Sequence, residues 1–439
     1  MKDKIRIGCG AGFSGDRLDP AVVLVKDGKL DYLVLECLAE RTIALAQKRK
    51  LQNPAWGYDP LLERRIESLL ELLLEQKVKL ITNMGAANPL SAADKVIEIA
   101  KRKNLSVRVA AVVGDDVLAK LDVAALSLET KQPLSSHGKI VSANAYLGAD
   151  GILEALKTNA DIIITGRVAD PSLFIAPMLH ELGWAENDFD RMGKGTVLGH
   201  LLECAGQVTG GYYADPGKKH VPDMVNLGHP FVDVFADGSG LLGKVNGTGG
   251  VINLDTAKEQ LLYEVVNPHA YYTPDVIADF TSVKLMQQAK DRVRVTGGSG
   301  TTKPDTLKVS VGYQAGYLGE GEITYAGGNA VGRAKLAGEI VRERLRHTFN
   351  EIKVDLMGLN AVHGNALHST EPYEVRLRVA AKTPDAALAA RVGEEVEALY
   401  TNGPGGGGGV RKYVHEMIGI VSCLMDRNLI KPEVIIKSI

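Results

Sequence analysis

The chain has 439 residues, of which 45% are hydrophobic and 24% charged, and its formal net charge is −2. This balance is typical of an ordinary globular protein, and together with the lack of a basic run it argues against a nucleic-acid partner. An uninterrupted apolar stretch long enough for a membrane span is missing, as is the apolar core of a signal peptide, so we expect a cytoplasmic protein without a membrane partner. The 4 cysteines are scattered without a CxxC pair, which favours reduced thiols over a disulfide framework or a metal site.

Strand and helix patterns alternate through the first half of the chain. Strands are predicted at 5–9, 32–35, 78–82, 107–113 and 161–165, and helices at 20–26, 40–50, 61–75, 90–103 and 144–158. Short strands that are apolar on both faces, and that are separated by helices, are typical of a parallel sheet covered on both sides. We therefore predict a Rossmann-like α/β domain over residues 1–225, with a doubly wound, mostly parallel sheet.

The pattern changes in the second half, where loops rich in Gly, Asp and Pro precede longer alternating strands. Strands are predicted at 291–295, 306–313, 319–325, 353–358 and 373–380, and helices at 330–349, 384–400 and 410–427. Alternation of apolar and polar residues favours half-exposed, antiparallel strands, so we predict an α+β domain over residues 226–439. The Gly-rich loop 401–409 fits a phosphate-binding loop or a flexible hinge, and the sequence leaves both open.

Three strands of the first half are each followed by glycine and then by an acidic or amide residue before proline. The turns end in Asp19-Pro20, Asn88-Pro89 and Asp170-Pro171. Asp and Asn are strong N-caps and Pro fits the first helical turn, so each copy predicts a helix N-terminus just after a strand. Because such N-termini offer free N–H groups and lie along one edge of a parallel sheet, we predict a composite site for an anionic small molecule.

The candidate substrate-binding residues lie in these turns. Glycines let backbone N–H groups approach an anion, Arg17 offers a bidentate fork, and Arg167 follows a buried strand and needs a counter-anion, either Asp170 or a ligand. The predicted set is Gly12, Ser14, Gly15, Arg17, Asn83, Gly85, Asn88, Thr165, Gly166, Arg167 and Asp170. For each turn, a purely structural role as a tight turn or helix cap is the alternative.

Glu36 is the first candidate for acid/base chemistry, because it follows an apolar strand that would raise its pKa. It also lies about 20 residues beyond a formal GxGxxG at 10–15, where a dinucleotide-binding fold carries its ribose-binding acid. The late start predicted for the first helix, at Pro20, weakens the dinucleotide interpretation.

His200 and Glu203 are the other catalytic candidates. With Cys204 and Gln207 they form one polar stripe on an apolar helix, as expected for the wall of a cavity. A metal would need a third ligand, and none is close in sequence, so proton transfer is the preferred interpretation. The scattered histidines are weaker candidates, because lone histidines are more often structural: His137, His220, His229, His269 and His363.

The motifs IGCGAGFSGDRLDPA, DYLVLECLAERT, TNMGAANP, ITGRVADPSL, GHLLECAGQVTGG and ITYAGGNAVGRAKLAGEIVRERL span nearly the whole chain. On these stretches the sequence resembles the AtuA-like acyclic terpene utilisation family. The resemblance implies a role in the catabolism of branched acyl-CoA compounds or organic acids, and it brings no settled reaction or catalytic residues. Longer relatives carry a small C-terminal ferredoxin-like domain, so we expect a separate small subunit to supply that module.

We therefore expect an enzyme that acts on a small carboxylic acid or acyl-CoA with hydratase- or lyase-type proton transfer. Arg17, Arg167 and the helix N-termini would bind the anion, and Glu36 or the His200–Glu203 pair would move the proton. This chemistry requires no cofactor beyond a CoA thioester as substrate, and we expect a homo- or hetero-oligomer. An NAD(P)-dependent oxidoreductase and a non-catalytic subunit of a larger complex are the alternatives.

Overall fold

A computed structural model describes residues 2–364 and 371–439. The helices are α1 (Asp19–Asp27), α2 (Glu40–Gln52), α3 (Leu62–Gln76), α4 (Pro89–Arg102), α5 (Asp150–Lys157), α6 (Ser172–Leu182), α7 (Phe189–Glu203), α8 (Leu254–Leu262), α9 (Ala330–Leu345) and α10 (Ala386–Asn402). The strands are β1 (Lys4–Ala11), β2 (Tyr32–Leu35), β3 (Lys79–Thr82), β4 (Arg108–Val113), β5 (Ile140–Ala145), β6 (Ile162–Thr165), β7 (Pro230–Phe235), β8 (Gly240–Lys244), β9 (Tyr271–Tyr272), β10 (Ile277–Asp279), β11 (Lys284–Ala289), β12 (Arg292–Thr296), β13 (Ser299–Gly300), β14 (Thr306–Ala326), β15 (Ile352–Met357), β16 (Glu374–Thr383), β17 (Gly408–Asp426) and β18 (Glu433–Ser438). In this part of the chain, every helix is too short or too polar to cross a membrane.

The chain folds into two compact units. The first comprises residues 1–136, 140–312 and 420–439, and the second comprises residues 137–139 and 313–419. The boundary predicted between residues 225 and 226 lies inside the first unit.

The first unit is built on a ten-stranded mixed sheet with the order β11-β12-β8-β7-β1-β2-β3-β6-β4-β18. Its centre, β1-β2-β3-β6-β4, is parallel. Antiparallel strands flank this centre, with β7 beside β1 and β18 beside β4. The central strands are parallel as predicted, but a doubly wound, mostly parallel sheet is not confirmed, because antiparallel strands from distant parts of the chain extend the sheet on both sides.

A large apolar cluster covers one face of the central strands. It joins buried residues of α1, α3 and α4, such as Leu24, Leu69 and Val96, to strand residues such as Leu33 and Ile164. The spacing of apolar residues along these helices explains the contact, since it presents one apolar stripe to the sheet. The carboxyl ends of the parallel strands are thereby held in fixed positions.

The second unit has the element order β14-α9-β15-β16-α10-β17, and its sheet has the order β15-β16-β14-β17. This βαββαβ arrangement, with an antiparallel β16 between β14 and β15, is the ferredoxin-like topology. The antiparallel pairing predicted for the second half is confirmed. One face of the sheet packs on α9 and α10 through residues such as Ile323, Leu377 and Val396.

Side chains of alternate strand residues form a network of ion pairs in this second unit. Arg378 bridges Glu320 and Asp355, and Arg376 pairs with Glu322. Strand alternation explains the arrangement, because neighbours such as Leu377 and Val379 belong to the apolar core. Half-buried charges therefore meet opposite charges across neighbouring strands.

Two predicted helices are partly or wholly wrong. The segment predicted as a helix at 410–427 is strand β17, and the helix predicted at 144–158 begins only at Asp150, after strand β5. Both strands pair with β14, which is distant in sequence, so the sheet contacts override the local helical spacing. In the predicted Gly-rich loop 401–409, α10 ends at Asn402 and β17 begins at Gly408.

Candidate functional site

A cavity of about 1260 Å³ opens in the first unit beside the carboxyl ends of the parallel strands. Gly12 follows β1, Glu36 follows β2, and Arg167 lies two residues after β6, and all three residues line this cavity. A parallel sheet brings such strand ends to one edge, which is where open α/β sheets bind ligands. The cavity is therefore the candidate functional site.

The predicted site residues divide into those that line the cavity and those that do not. The lining residues are Gly12, Arg17, Glu36, Arg167, Asp170 and Glu203. Those that do not line it are Ser14, Gly15, Asn83, Gly85, Asn88, Thr165, Gly166 and His200. Several residues of the second group contact lining residues without reaching the cavity themselves.

The first loop already holds a carboxylate of its own. Asp16 Oδ2 accepts a hydrogen bond from Gly12 N at 3.0 Å, and its Oδ1 accepts one from Arg17 N at 2.9 Å. The Arg17 guanidinium donates to two backbone carbonyls, those of Met224 and Val225. Two of the N–H groups that the sequence offers to an anionic ligand, those of Gly12 and Arg17, are therefore engaged by Asp16. The predicted N-cap at Asp19 is wrong, because Leu18 takes the N-cap position of α1.

The second turn supports Glu36 from behind. Asn83 donates from Nδ2 to Glu36 Oε1 at 2.8 Å and accepts the Cys37 N–H at 2.7 Å. A Cβ at Gly85 would lie 2.5 Å from the Thr165 carbonyl oxygen, so only glycine fits this close approach of two turns. Asn88 caps α4 by accepting the Ser91 N–H, which confirms its predicted N-cap role.

The third turn carries a buried cation. Arg167 is 2% exposed, donates to the Leu38 carbonyl and to Asp170 Oδ1, and stacks 4.1 Å from the centre of the Tyr146 ring. Its Nε, fully buried, has no hydrogen-bond partner. The predicted N-cap at Asp170 is wrong, because Pro171 takes that position and the Asp170 carboxylate pairs with Arg167.

Asp115 fixes the backbone of this third turn. Its Oδ2 accepts hydrogen bonds from Arg167 N and from Asn144 Nδ2, both at 2.9 Å. A Cβ at Gly166 would lie 2.3 Å from Asp115 Oδ1, so the carboxylate can approach only a glycine. The Thr165 hydroxyl donates to the Gly166 carbonyl and does not reach the cavity.

His200 and Glu203 form a pair at the end of α7. His200 Nδ1 lies 2.8 Å from Glu203 Oε1, and the imidazole packs against the rings of Tyr271 and Phe280, which also contact each other. Glu203 Oε2 and His200 Nε2 are buried without a hydrogen-bond partner. Of the pair, only Glu203 lines the cavity. Next to it, Ala205 has a φ of 43°, a left-handed conformation that alanine rarely adopts and that is often found at functional sites.

The acids of the cavity differ in their proton affinity. Burial raises the pKa of Glu203 to about 7, although the neighbouring His200 opposes this shift. Burial, with the nearby Asp170 charge, raises the pKa of Glu36 well above its usual value. Burial also raises the pKa of Asp170, but that side chain is 34% exposed, so water offsets part of the effect. Glu203 is thus the acid best matched to proton transfer near neutral pH.

Several cavity residues escaped the sequence analysis, since they lie on unrelated segments. The Tyr146 hydroxyl donates a hydrogen bond to Glu40, and Lys308 forms an ion pair with Glu40 at 3.1 Å. Burial alone would raise the pKa of Glu40, but the Tyr146 hydroxyl and the nearby cations lower it to about 2. Glu40 lies in the stretch DYLVLECLAERT, whereas no local signal marks Tyr146 or Lys308.

The remaining wall of the cavity is largely apolar. It includes Phe13, Leu128, Leu227, Val266, Tyr271, Leu307 and Leu424. Across the described ranges 2–364 and 371–439, no group of three or more His, Cys, Asp or Glu side chains is arranged to hold a metal ion. The arrangement suits an amphiphilic ligand, whose apolar part contacts this wall and whose polar part reaches Arg17 or Lys308.

The sequence profile of the acyclic terpene utilisation family protein AtuA matches residues 5–436. No curated protein and no solved structure matches the chain. Because the profile covers nearly the whole sequence, the chain belongs to the acyclic terpene utilisation family.

Proposed function

We propose that this member of the acyclic terpene utilisation family is an enzyme that transfers protons in a hydratase- or lyase-type reaction on a small carboxylic acid or an acyl-CoA. The observation that carries the proposal is Glu203, whose Oε2 lacks a partner in the cavity wall while its Oε1 is held by His200. A carboxyl group with a pKa of about 7 is half protonated at neutral pH and can give or take a proton.

The walls of the cavity support this substrate class. The apolar side matches a hydrocarbon chain, and the cations Arg17 and Lys308 match a carboxylate or the phosphates of CoA. Asp16 already engages the N–H groups of Gly12 and Arg17, which favours contact of the anion with side chains of the rim. The second catalytic candidate from the sequence, Glu36, is bound by Asn83 and by Leu38 N, which favours a supporting role.

Water addition to a double bond beside a carbonyl requires one proton at carbon and removes one from water. Glu203 is suited to the first step, because its protonated form is favoured by burial. Arg167 lines the same cavity, so its positive charge would stabilise the carboxylate that forms as the proton leaves Glu203.

The test is turnover of a panel of saturated, 2-enoyl and 3-hydroxyacyl-CoA esters and of the corresponding free acids, followed by mass spectrometry in heavy water. Glu203→Gln keeps the shape of the side chain and removes the titrating proton, so we expect a loss of about 10²–10⁴-fold in kcat. Glu259→Gln is the matched control, because Glu259 is an exposed residue paired with Lys219. Full activity of Glu203→Gln would contradict the proposal.

The two alternatives give different results in the same experiment. A nicotinamide-dependent oxidoreductase would turn over only with NAD(P) and would change absorbance with it. The GxGxxG interpretation has lost support, because Glu36 Oε1 is engaged by Asn83 and by Leu38 N. A non-catalytic subunit would turn over none of the compounds alone and would copurify with the partner that does, including a separate small subunit or further copies of the chain.

A further inference from the structure

We propose that His229 is the base that works with Glu203 in the cavity, an inference that rests on the proton-transfer function proposed above. His229 is 3% exposed and lines the same cavity as Glu203. The sequence marked this residue only as a weaker candidate, because lone histidines are more often structural.

The hydrogen bonds of His229 select one tautomer. Its Nδ1 lies 3.2 Å from the Gly10 carbonyl oxygen, and because a carbonyl only accepts, Nδ1 must carry the proton. In the neutral ring Nε2 is then an unprotonated acceptor. The nearest acid, Asp16, has its Oδ1 3.8 Å from Nε2, which is beyond hydrogen-bond distance. The lone pair of Nε2 is thus available to a ligand in the cavity.

Burial favours the neutral form of His229. Burial lowers the pKa of His229, and the Arg65 charge acts in the same direction. Asp16, Asp19 and the Gly10 carbonyl oppose this shift without reversing it. Asp16 is fixed in place by Gly12 N and Arg17 N, so its distance from the imidazole is set by the loop.

His229 and Glu203 lie on adjoining parts of the wall. The position that a Cβ would take at Gly206 is 3.5 Å from His229 Nε2, and Gly206 follows Glu203 by three residues. On the other side, Cys9 Sγ donates to the Glu203 carbonyl at 3.9 Å, and the next residue, Gly10, accepts from His229. The two side chains therefore come from neighbouring backbone segments and line one cavity.

Under this assignment, His229 and Glu203 together add water to a 2-enoyl group. His229 Nε2 removes a proton from water as the oxygen bonds to the β carbon, and the electron pair of the double bond moves to the α carbon. The α carbon takes the proton of the Glu203 carboxyl, which leaves an imidazolium and a carboxylate. Proton return through solvent restores both groups, and dehydration follows the reverse order.

Two measurements on the full chain test the assignment. The first is ¹⁵N NMR of histidine-labelled protein, with His229→Asn to assign the signal and no substrate present. We expect a neutral ring with the proton on Nδ1 at neutral pH, and a titration midpoint below the ordinary value for histidine. A proton on Nε2, or an imidazolium at neutral pH, would overturn the proposal.

The second measurement is the pH profile of turnover with the CoA ester that the panel identifies. His229→Asn keeps a donor for the Gly10 carbonyl and lacks the base, so we expect a loss of about 10²–10⁴-fold in kcat and of the ascending limb of kcat/KM. His220→Asn is the matched control and should leave both unchanged. If Glu203→Gln is inactive while His229→Asn keeps activity and its ascending limb, the assignment of His229 fails and the proposed function stands. If the wild type converts none of the esters or acids, the proposed function fails and this inference with it.

Discussion

Buried or partly buried carboxylates occur in two regions of the molecule, and the two regions provide them with different partners. In the ion-pair network of the second unit, Glu320 and Asp355 both meet Arg378. In the cavity of the first unit, Glu203 leaves one carboxylate oxygen without a partner and Glu36 is bound by neutral donors. In the second unit each of these carboxylates is paired with an arginine. In the cavity, burial has the larger influence on the proton affinity of the carboxyl groups.

The two kinds of carboxyl group are suited to different roles, one to stabilising the fold and the other to proton transfer. A carboxylate that is matched with guanidinium groups loses its tendency to take up a proton, and its contribution is to hold strands together. A carboxyl group that is buried without a full set of partners costs stability and gains a pKa near the operating pH. We therefore expect substitutions in the two regions to have different signatures.

Arg167→Met should have the largest effect on stability. The guanidinium is 2% exposed, and its removal leaves Asp170 and the Leu38 carbonyl without their donor. We expect a loss of about 3–5 kcal/mol in the free energy of unfolding, measured by urea denaturation. Arg17→Met, at an exposed position, is the control. A loss below about 1 kcal/mol for Arg167→Met would mean that the cavity tolerates an unmatched acid and would remove the contrast between the regions.

Asp115→Asn tests whether burial sets the proton affinity of acids in the first unit. Burial raises the pKa of Asp115 from 3.8 to about 6, so the folded state binds the extra proton over this range and the wild type loses stability as the pH rises through it. The variant lacks this titration. Its stability relative to the wild type should rise by about 2 kcal/mol between pH 4 and pH 6 and change little above pH 7, as measured by urea unfolding at each pH. Parallel curves for the two proteins would show that Asp115 is not perturbed.

Arg378→Met should have the smallest effect of the three. The side chain is 22% exposed, and its partners Glu320 and Asp355 keep His415 and Lys353 within reach. We expect a loss of about 1 kcal/mol in the same denaturation assay, together with an unchanged pH profile of turnover. Arg376→Met, with a more exposed side chain, should cost no more than that. A large loss of unfolding free energy for Arg378→Met would show that the matched charges of the second unit contribute as much to stability as Arg167 does in the cavity.

The sequence predicted the elements of the first unit well, because short apolar strands and amphipathic helices carry local signals. The segment 410–427 shows where such signals end. Its apolar residues recur at helical spacing, yet it contains the β-branched Val410, Ile418, Ile420 and Val421, and pairing with β14 makes it a strand. The sequence predicted an α+β second half but not the ferredoxin-like topology of the second unit, since strand order depends on contacts between residues far apart in sequence.

The site was predictable where chemistry follows a strand. Glu36 and Arg167 both lie just after a buried strand and both reach the cavity. His229, Tyr146 and Lys308 reach it from distant segments, so only the fold brings them together. The composite anion site stays a prediction, and the structure adds that one of its loops is engaged by a carboxylate of the chain itself.

That engagement makes Asp16 a tethered competitor. A carboxylate fixed by the backbone N–H groups of Gly12 and Arg17 is present at a high effective concentration, because it cannot diffuse away from the loop. Chloride, phosphate and other abundant inorganic anions must displace it before they can occupy the loop, which lowers their apparent affinity. The loop is thus insulated from the ionic composition of its surroundings, and selection among ligands falls to the apolar wall and the rim cations.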